Sequence, residues 1–404
     1  MIFVYHITVC RCLQGKGFYK KTVDLHALVS YDGEKRFQGE NIRMGRRKAT
    51  YIFVPDKPVR RRGPGCMTMV VILLLAALCA VLVLNYATNR RVELHEEKVS
   101  VMGLDKAFEG FTVLHISDLQ ASPVGSDMKL WRDLLYGKNY HAVVLSGDMV
   151  GYKGDYEPLL SLIHTLGEIR KDVPVYFIAG DEDPLPVVST PQGTPEALSD
   201  WVRAAQKMGA IYLDAPIAQQ VGKKTVWFVP EYLYDVDAEG MVASLENQKL
   251  EMEAAGTQYE AQGGVAYRSL KYRQEAMQRT VEAQRVMLSE DLQIAVNHVP
   301  LQPGYIRTSL EWADQKRAFN FRNISLLLCG HYCAGQWRLP GVGPVYVPEK
   351  GWFPGDNGLV GMQRVNSINQ YVSPGIGDCA EYPLPGRLFN QPGVTLVKFT
   401  GTIQ

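Results

Sequence analysis

Apolar runs that end in a polar residue recur along the C-terminal three quarters of the chain. FTVLHISD (Phe111–Asp118), HAVVLSGD (His141–Asp148) and VPVYFIAGD (Val173–Asp181) each close on a carboxylate. LQIAVNH (Leu292–His298) and ISLLLCGH (Ile324–His331) close on an imidazole. None of these runs alternates, which predicts strands covered on both faces, as in the centre of an α/β sheet. Leu159–Arg170 is apolar at Leu159, Leu160, Leu162, Ile163 and Leu166, the spacing of one helix face. From about 237 to 291 the pattern changes to Glu, Gln, Ala, Met and Arg, predicting two helices broken near Gly263 and Gly264. That insert reads as a cap over a site or as a solvated helical pair, and its composition leans to the pair. The remainder, 92–404, is expected to be one α/β domain.

One run stands apart from all of these. Cys66 to Ala87 reads CMTMVVILLLAALCAVLVLNYA, without a charge, at the length of about 20 residues that crosses a bilayer core. It is too long for an ordinary signal-peptide core, and no small-residue cleavage site follows, although a cleaved signal remains the main competitor. Arg46, Arg47, Lys48, Lys57, Arg60, Arg61 and Arg62 precede it, against Arg90, Arg91 and Lys98 after it. The excess places residues 1–65 in the cytoplasm and the C-terminal domain on the extracytoplasmic side of a cell membrane. Residues 1–43 show no amphipathic period, and Met44 is a candidate natural start.

Composition changes this picture little. The chain has 404 residues, 46% hydrophobic and 21% charged, with formal net charge +1. Such a balance offers no polyanion-binding signature, so no nucleic acid partner is expected. The seven cysteines lack paired CxxC spacing, and only Cys329, Cys333 and Cys379 fall in the expected domain. Three cannot all pair within one chain, so no disulfide framework is expected.

The chemistry concentrates at the strand ends: Asp118, Asp148, Asp181, His298 and His331. Ligands in open α/β sheets collect at such edges, and oxygen with imidazole donors suits divalent ions such as Mn, Fe, Zn or Mg. His115 reads as a packed core residue, His141 as exposed, and His164 as a helix residue with no evident partner. Cys329 reads as a small buried hydrophobe. Arg338 suits either an anionic substrate or a surface carboxylate.

In order, SDLQ (Ser117–Gln120), SGDMV (Ser146–Val150), GDED (Gly180–Asp183), NHVP (Asn297–Pro300) and GHYC (Gly330–Cys333) resemble the motifs of the calcineurin-like metallophosphoesterase superfamily. AGQWRLPGVG (Ala334–Gly343), YVSPGIG (Tyr371–Gly377) and RLFNQPGV (Arg387–Val394) are similar to its membrane-associated bacterial branch. The resemblance runs from about Glu109 to the C-terminus. It implies a four-layer αββα sandwich, one or two divalent ions about 3.5–4 Å apart, and hydrolysis of phosphoesters or pyrophosphates by metal-activated hydroxide.

Carried over residue by residue, the resemblance retains Asp118, Asp148, His298 and His331. Gln120 stands where the first motif has His, Asp181 where the third has Asn, Glu182 where it has the catalytic His, and Cys333 where the last motif has His. One metal set is then Asp148, Asp181, His298 and His331; the weaker set is Asp118, Gln120, Asp148 and Cys333. Glu182 would be a general acid, a ligand, or a filler of space. Two functions remain: a hydrolase of a phosphorylated small molecule, with the anchor favouring a lipid-linked or cell-envelope substrate, and a catalytically impaired pseudoenzyme of the same fold that binds or scaffolds.

Overall fold

The computed structural model of the chain describes residues 65–89, 91–188, 197–255, 264–313 and 317–401. The expected cytoplasmic tail, the start at Met44, the basic residues ahead of the apolar run, Arg90 and Gly263 lie outside the described residues.

Helix α1 (Cys66–Asn89) is 24 residues of uncharged sequence with no buried side chain. It is long and apolar enough to cross a membrane. After it the chain builds two sheets of six strands. The first has the order β1 (Glu93–Ser100), β15 (Gly393–Thr400), β2 (Thr112–Ile116), β3 (Ala142–Ser146), β4 (Val175–Ile178) and β5 (Ile211–Tyr212). The second has the order β13 (Gly361–Val365), β14 (Ile368–Val372), β9 (Ile324–Cys329), β8 (Leu292–Val296), β7 (Lys224–Pro230) and β6 (Ile217–Val221). Strands β2 to β5 run parallel, as do β7, β8, β9 and β14. The edge strands β6 and β13 pair antiparallel with their neighbours β7 and β14.

The sheets pack face to face. Val113, Val144, Phe228, Ile294 and Leu328 meet between them, and the Tyr176 and Phe228 rings stack at 4.2 Å across the gap. Helices α2 (Met128–Leu135), α3 (Glu157–Ile169) and α4 (Asp200–Lys207) cover the outer face of the first sheet. Helix α3 does so with Leu159, Leu162, Ile163 and Leu166, the face read from the sequence. Helices α5 (Ala238–Ala254), α6 (Val265–Val286) and α7 (Pro303–Trp312) cover the second. The result is the expected αββα sandwich.

The helical insert is neither a cap nor a fully solvated pair. Leu245, Leu270, Met277 and Val281 form an apolar seam against Trp227 and Val229 of β7, while the opposite faces are polar. A small third sheet, β10 (Trp337–Leu339), β11 (Gly343–Val347) and β12 (Gly351–Trp352), lies between β9 and β13 in the chain. It adjoins the end of α1. Arg338 N donates to Leu388 O at 2.9 Å, Phe389 N donates to Asn85 Oδ1 at 2.8 Å, and Asn85 Nδ2 donates to Arg387 O at 3.0 Å.

Candidate metal centre

The five polar strand ends meet at one edge of the sandwich, because β2, β3, β4, β8 and β9 all end there. Directly after these strands the backbone turns into the left-handed region at non-glycine residues: Asp118 (φ 50°), Gln120 (φ 53°), Asp148 (φ 53°), His331 (φ 76°) and Cys333 (φ 48°). Such residues are uncommon in that region and collect at functional sites. Glycine permits the approach of the loops. A Cβ on Gly180 would lie 2.1 Å from Asp148 Oδ1, and one on Gly330 would lie 2.7 Å from Asp118 Oδ2.

Four groups converge on one point. His298 Nε2 lies 3.0 Å from Asp148 Oδ2 and 2.8 Å from Asp181 Oδ1. His331 Nδ1 lies 3.2 Å from the same Asp181 oxygen, and the two imidazole centroids are 5.4 Å apart. The ligand atoms of Asp181, His298 and His331 all fall within 4.8 Å of one another. The other ring nitrogen of His298, Nδ1, is 2.9 Å from the Ser146 carbonyl. A carbonyl only accepts, so Nδ1 carries the proton and Nε2 of the neutral ring is a lone pair. That buried lone pair has no hydrogen-bond partner of its own and faces two carboxylate oxygens. Only a proton or a cation reconciles three acceptors, so these residues fit a divalent ion.

In the absence of a cation, charge is shared among the same groups. Burial works against a charged His298, but Asp148 and Asp181 outweigh it and hold the ring well above its ordinary value. His331 is opposed by burial and raised by Asp181, to about 9. Burial opposes ionisation of Asp181 as well, yet the two imidazoles hold it far below the usual carboxylate range.

The adjoining half of the site differs. Asp118 is fully buried, accepts from Ser117 Oγ and from the His331 N–H at 2.9 Å, and burial pushes its carboxyl up. The Gln120 amide nitrogen donates to Asp148 Oδ2 at 3.0 Å and to Glu182 Oε2, standing between the two carboxylates. Its carbonyl oxygen is buried without a partner. Cys333 is buried with its Sγ 2.8 Å from Cys379 Sγ. Asp118, Cys333 and Cys379 form a further set within 4.8 Å. Two of the three domain cysteines therefore lie together, which the sequence reading did not expect. Glu182 is held by the Ala380 N–H at 2.9 Å, and burial with the neighbouring Asp148 raises its carboxyl to about 7.

Several residues at the centre carried no signal strong enough to be singled out. Asp183 is buried and accepts from the backbone N–H of Val150 (2.7 Å), Gly151 (2.8 Å), Gly180 (2.9 Å) and Met149 (3.2 Å), tying the second motif to the third. Its place in GDED was its only trace. Glu349, from the turn between β11 and β12, lies 3.0 Å from His331 Nε2 and belongs to no motif. Arg387 is buried and donates to the carbonyls of Pro374 (2.7 Å), Gly377 (2.8 Å) and Cys333 (3.2 Å), locking the loops behind the site. The RLFNQP run had contained it without giving it a role.

Of the remaining candidates, His115 is fully buried, bonds Ser146 Oγ at 2.8 Å, and is driven down to about 3 by burial alone. His141 is half-buried rather than exposed, because its ring stacks on Phe111 and its Nδ1 accepts from the Thr112 N–H at 3.0 Å. His164 does find a partner, Glu168 one turn on at 3.5 Å. Cys329 is buried in β9. Arg338 takes the surface-carboxylate option, with Asp356 at 2.6 Å.

No curated protein matches the chain. Among solved structures, the phosphopantetheinyl hydrolase from Mycobacterium tuberculosis matches at 16% identity and a TM-score of 0.31, over 66% of this chain and 89% of that one. The sequence profile of the calcineurin-like phosphoesterases matches residues 111–334, more than half of the chain. That span begins with β2 and ends just past Cys333, so it encloses every residue of the centre except Glu349, Cys379 and Arg387, and the chain belongs to the calcineurin-like phosphoesterase family, metal-dependent phosphoester hydrolases.

Proposed function

We propose that the chain hydrolyses phosphoesters or pyrophosphates of lipid-linked or cell-envelope molecules at the extracytoplasmic surface of a membrane. The observation that carries the hydrolase reading is the buried His298 lone pair facing Asp148 and Asp181. Asp148, Asp181, His298 and His331 would hold one divalent ion, and Asp118, Gln120, Asp148 and Cys333 a second and weaker one. An ion so held supplies positive charge against phosphoryl oxygens and acidity to a water. The protein's own groups do the rest. The Ser146 carbonyl fixes the tautomer and the aim of His298, as outer partners of metal-ligating imidazoles do, and Glu349 orients His331 in the same way. Glu182, with its carboxyl raised toward neutrality, would protonate the leaving oxygen in place of the family's histidine.

The lipid-linked substrate rests on α1 and on what adjoins it. The third sheet is tied to the segment that Asn85 grips, and it exposes Val342, Trp352 and Phe353, with Leu384 nearby in sequence to that segment. The same sheet carries Glu349 to the site. In this reading residues 1–65 are cytoplasmic, 66–87 span the bilayer and 92–404 are the phosphoesterase domain, with the insert at 237–291. Added protease should digest the domain on intact cells; protection until lysis would reverse the orientation.

A second reading has one observation of its own. The Gln120 amide nitrogen already donates to Asp148, a carboxylate that the weaker set would share with its ion, and to Glu182. A chain whose second position is filled by its own amide would bind without turning over. Metal content of the purified protein, paired with hydrolysis of an aryl phosphate monoester and an aryl phosphodiester under Mn, Zn and Mg, separates the two. Turnover that His298→Ala abolishes supports the hydrolase. Bound metal with no turnover of any ester supports the impaired form.

A further inference from the structure

The thiols of Cys333 and Cys379 come from turns 46 residues apart and lie 2.8 Å from each other in a buried pocket walled by Tyr382, Trp337 and Tyr346. Both turns are fixed by buried side chains. The Gln336 carbonyl oxygen accepts from the Cys379 N–H at 2.8 Å, and Asn390 Nδ2 donates to the Cys333 carbonyl at 2.8 Å. Arg387 joins that same carbonyl to those of Gly377 and Pro374. The sulfurs are therefore presented to each other by two rigid loops.

The distance decides between two uses of such a pair. Two thiolates on one tetrahedral zinc, at bonds of about 2.3 Å, would stand about 3.8 Å apart. A disulfide brings them to about 2.05 Å. At 2.8 Å, with both thiols buried and each turn fixed by its own hydrogen bonds, a small closure brings the pair to the bond. We propose that Cys333 and Cys379 form an intramolecular disulfide, closing the wall of the metal centre covalently. Two S–H bonds break and one S–S bond forms. The two electrons and two protons pass to a disulfide-class oxidant, which is reduced to its two thiols.

The cross-link has a consequence for the centre, and that consequence rests on the metal sets proposed above. A disulfide sulfur is a poor ligand, so oxidation removes Cys333 from the weaker set and leaves Asp118, Gln120 and Asp148. Reduction returns a thiol able to bind a thiophilic ion. Asp148, Asp181, His298 and His331 keep their ligand atoms in either state, while oxidation costs the His331 carbonyl the hydrogen bond it accepts from the Cys379 thiol at 3.2 Å.

The test uses the full-length protein in detergent, equilibrated with oxidised glutathione or with dithiothreitol, then unfolded in an alkylating agent and digested without reductant. The oxidised sample should yield one cross-linked peptide pair containing Cys333 and Cys379, with two fewer alkylated cysteines. Unfolding should shift down by on the order of 5 °C on reduction, the loss expected when a loop of this length is opened, and Cys379→Ala should abolish that shift. Alkylation of both residues in the oxidised sample, or glutathione found on each separately, would overturn the disulfide. Zinc bound per chain should rise on reduction. An unchanged count beside a proven cross-link would overturn the link to metal binding while establishing the bond itself.

Discussion

At the scale of single residues, the candidate centre, set against the motifs it resembles, reads as substitutions that keep donor atoms while changing their quality. Asp181, Gln120, Glu182 and Cys333 all lie where the motif order puts them, because residues at the ends of parallel strands have little choice of edge. What motif order could not give was the direction of the Gln120 amide or the partner of Cys333. Those depend on Glu182 and Cys379, the latter far away in the chain. Two predictions belong here. Under reducing conditions, Gln120→His with Cys333→His should supply two imidazoles to the weaker set and raise metal content toward two ions per chain by isothermal titration. An unchanged stoichiometry would remove that set from the site. The second concerns pH. Glu182 is protonated below about 7, and a cation bound beside it can only lower that value. If its proton assists the leaving group, the rate falls as pH rises through a point at or below 7. Glu182→Gln should erase this limb and slow alkyl esters roughly 100-fold, while aryl esters with good leaving groups change little. An alkyl ester profile that keeps its limb in the variant would deny Glu182 the role.

At the scale of elements, the buried strands were plain in the sequence because both faces are apolar and no other element explains five to eight such residues in a row. The edges were not. Strand β1 is ELHEEKVS, polar along most of its length, and it is a strand because β15 pairs with it across eight residues. Its structure is imposed by a neighbour, as propensity in strands often is. The third sheet was missed for the same reason, with strands of two to five residues. The left-handed turns after β2, β3 and β9 were equally hidden, since Asp and His are only enriched in such a backbone, not confined to it, and Gln120 and Cys333 give no sign of it. The glycine of the third motif shows what those turns demand. Gly180→Ala would drive a methyl to 2.1 Å from Asp148 Oδ1 and 2.4 Å from its backbone nitrogen, neither of which can retreat without moving the ligand. It should destabilise the domain by roughly 1–3 kcal/mol and empty the metal centre. Gly167→Ala, in α3 with nothing within 4 Å of the new methyl, should be stabilising by up to about 1 kcal/mol. Thermal unfolding and metal content of the pair check both; equal effects would mean that packing at Gly180 is not tight.

At the scale of the whole molecule, the question is why a phosphoesterase domain is seated so firmly on an apolar helix. A flexible tether would be enough to keep the domain near a membrane. Here Asn85, inside α1, exchanges two hydrogen bonds with Arg387 and Phe389, and Arg387 is the same residue that locks the loops behind the metal centre. The helix end, the loop wall and the third sheet are thus one connected piece, which in the proposed membrane reading would set the distance of the site from the bilayer surface. Trp352 (69% exposed) and Phe353 (59%) follow Glu349 by three and four residues. Aromatic side chains of this kind favour the membrane interface, and each is worth about 2 kcal/mol when removed from water. If α1 anchors the chain, as proposed above, their loss should alter orientation at the surface rather than attachment. Trp352→Ser with Phe353→Ser should therefore leave hydrolysis of a soluble aryl phosphate unchanged. Hydrolysis of a phosphate or pyrophosphate ester carried on a lipid in vesicles should fall about tenfold or more, which corresponds to the loss of about 1.4 kcal/mol of productive orientation. An equal fall on both substrates would point to damage at the centre through Glu349. No fall on either would leave the apolar rim without a part in substrate capture and would favour a soluble phosphoester.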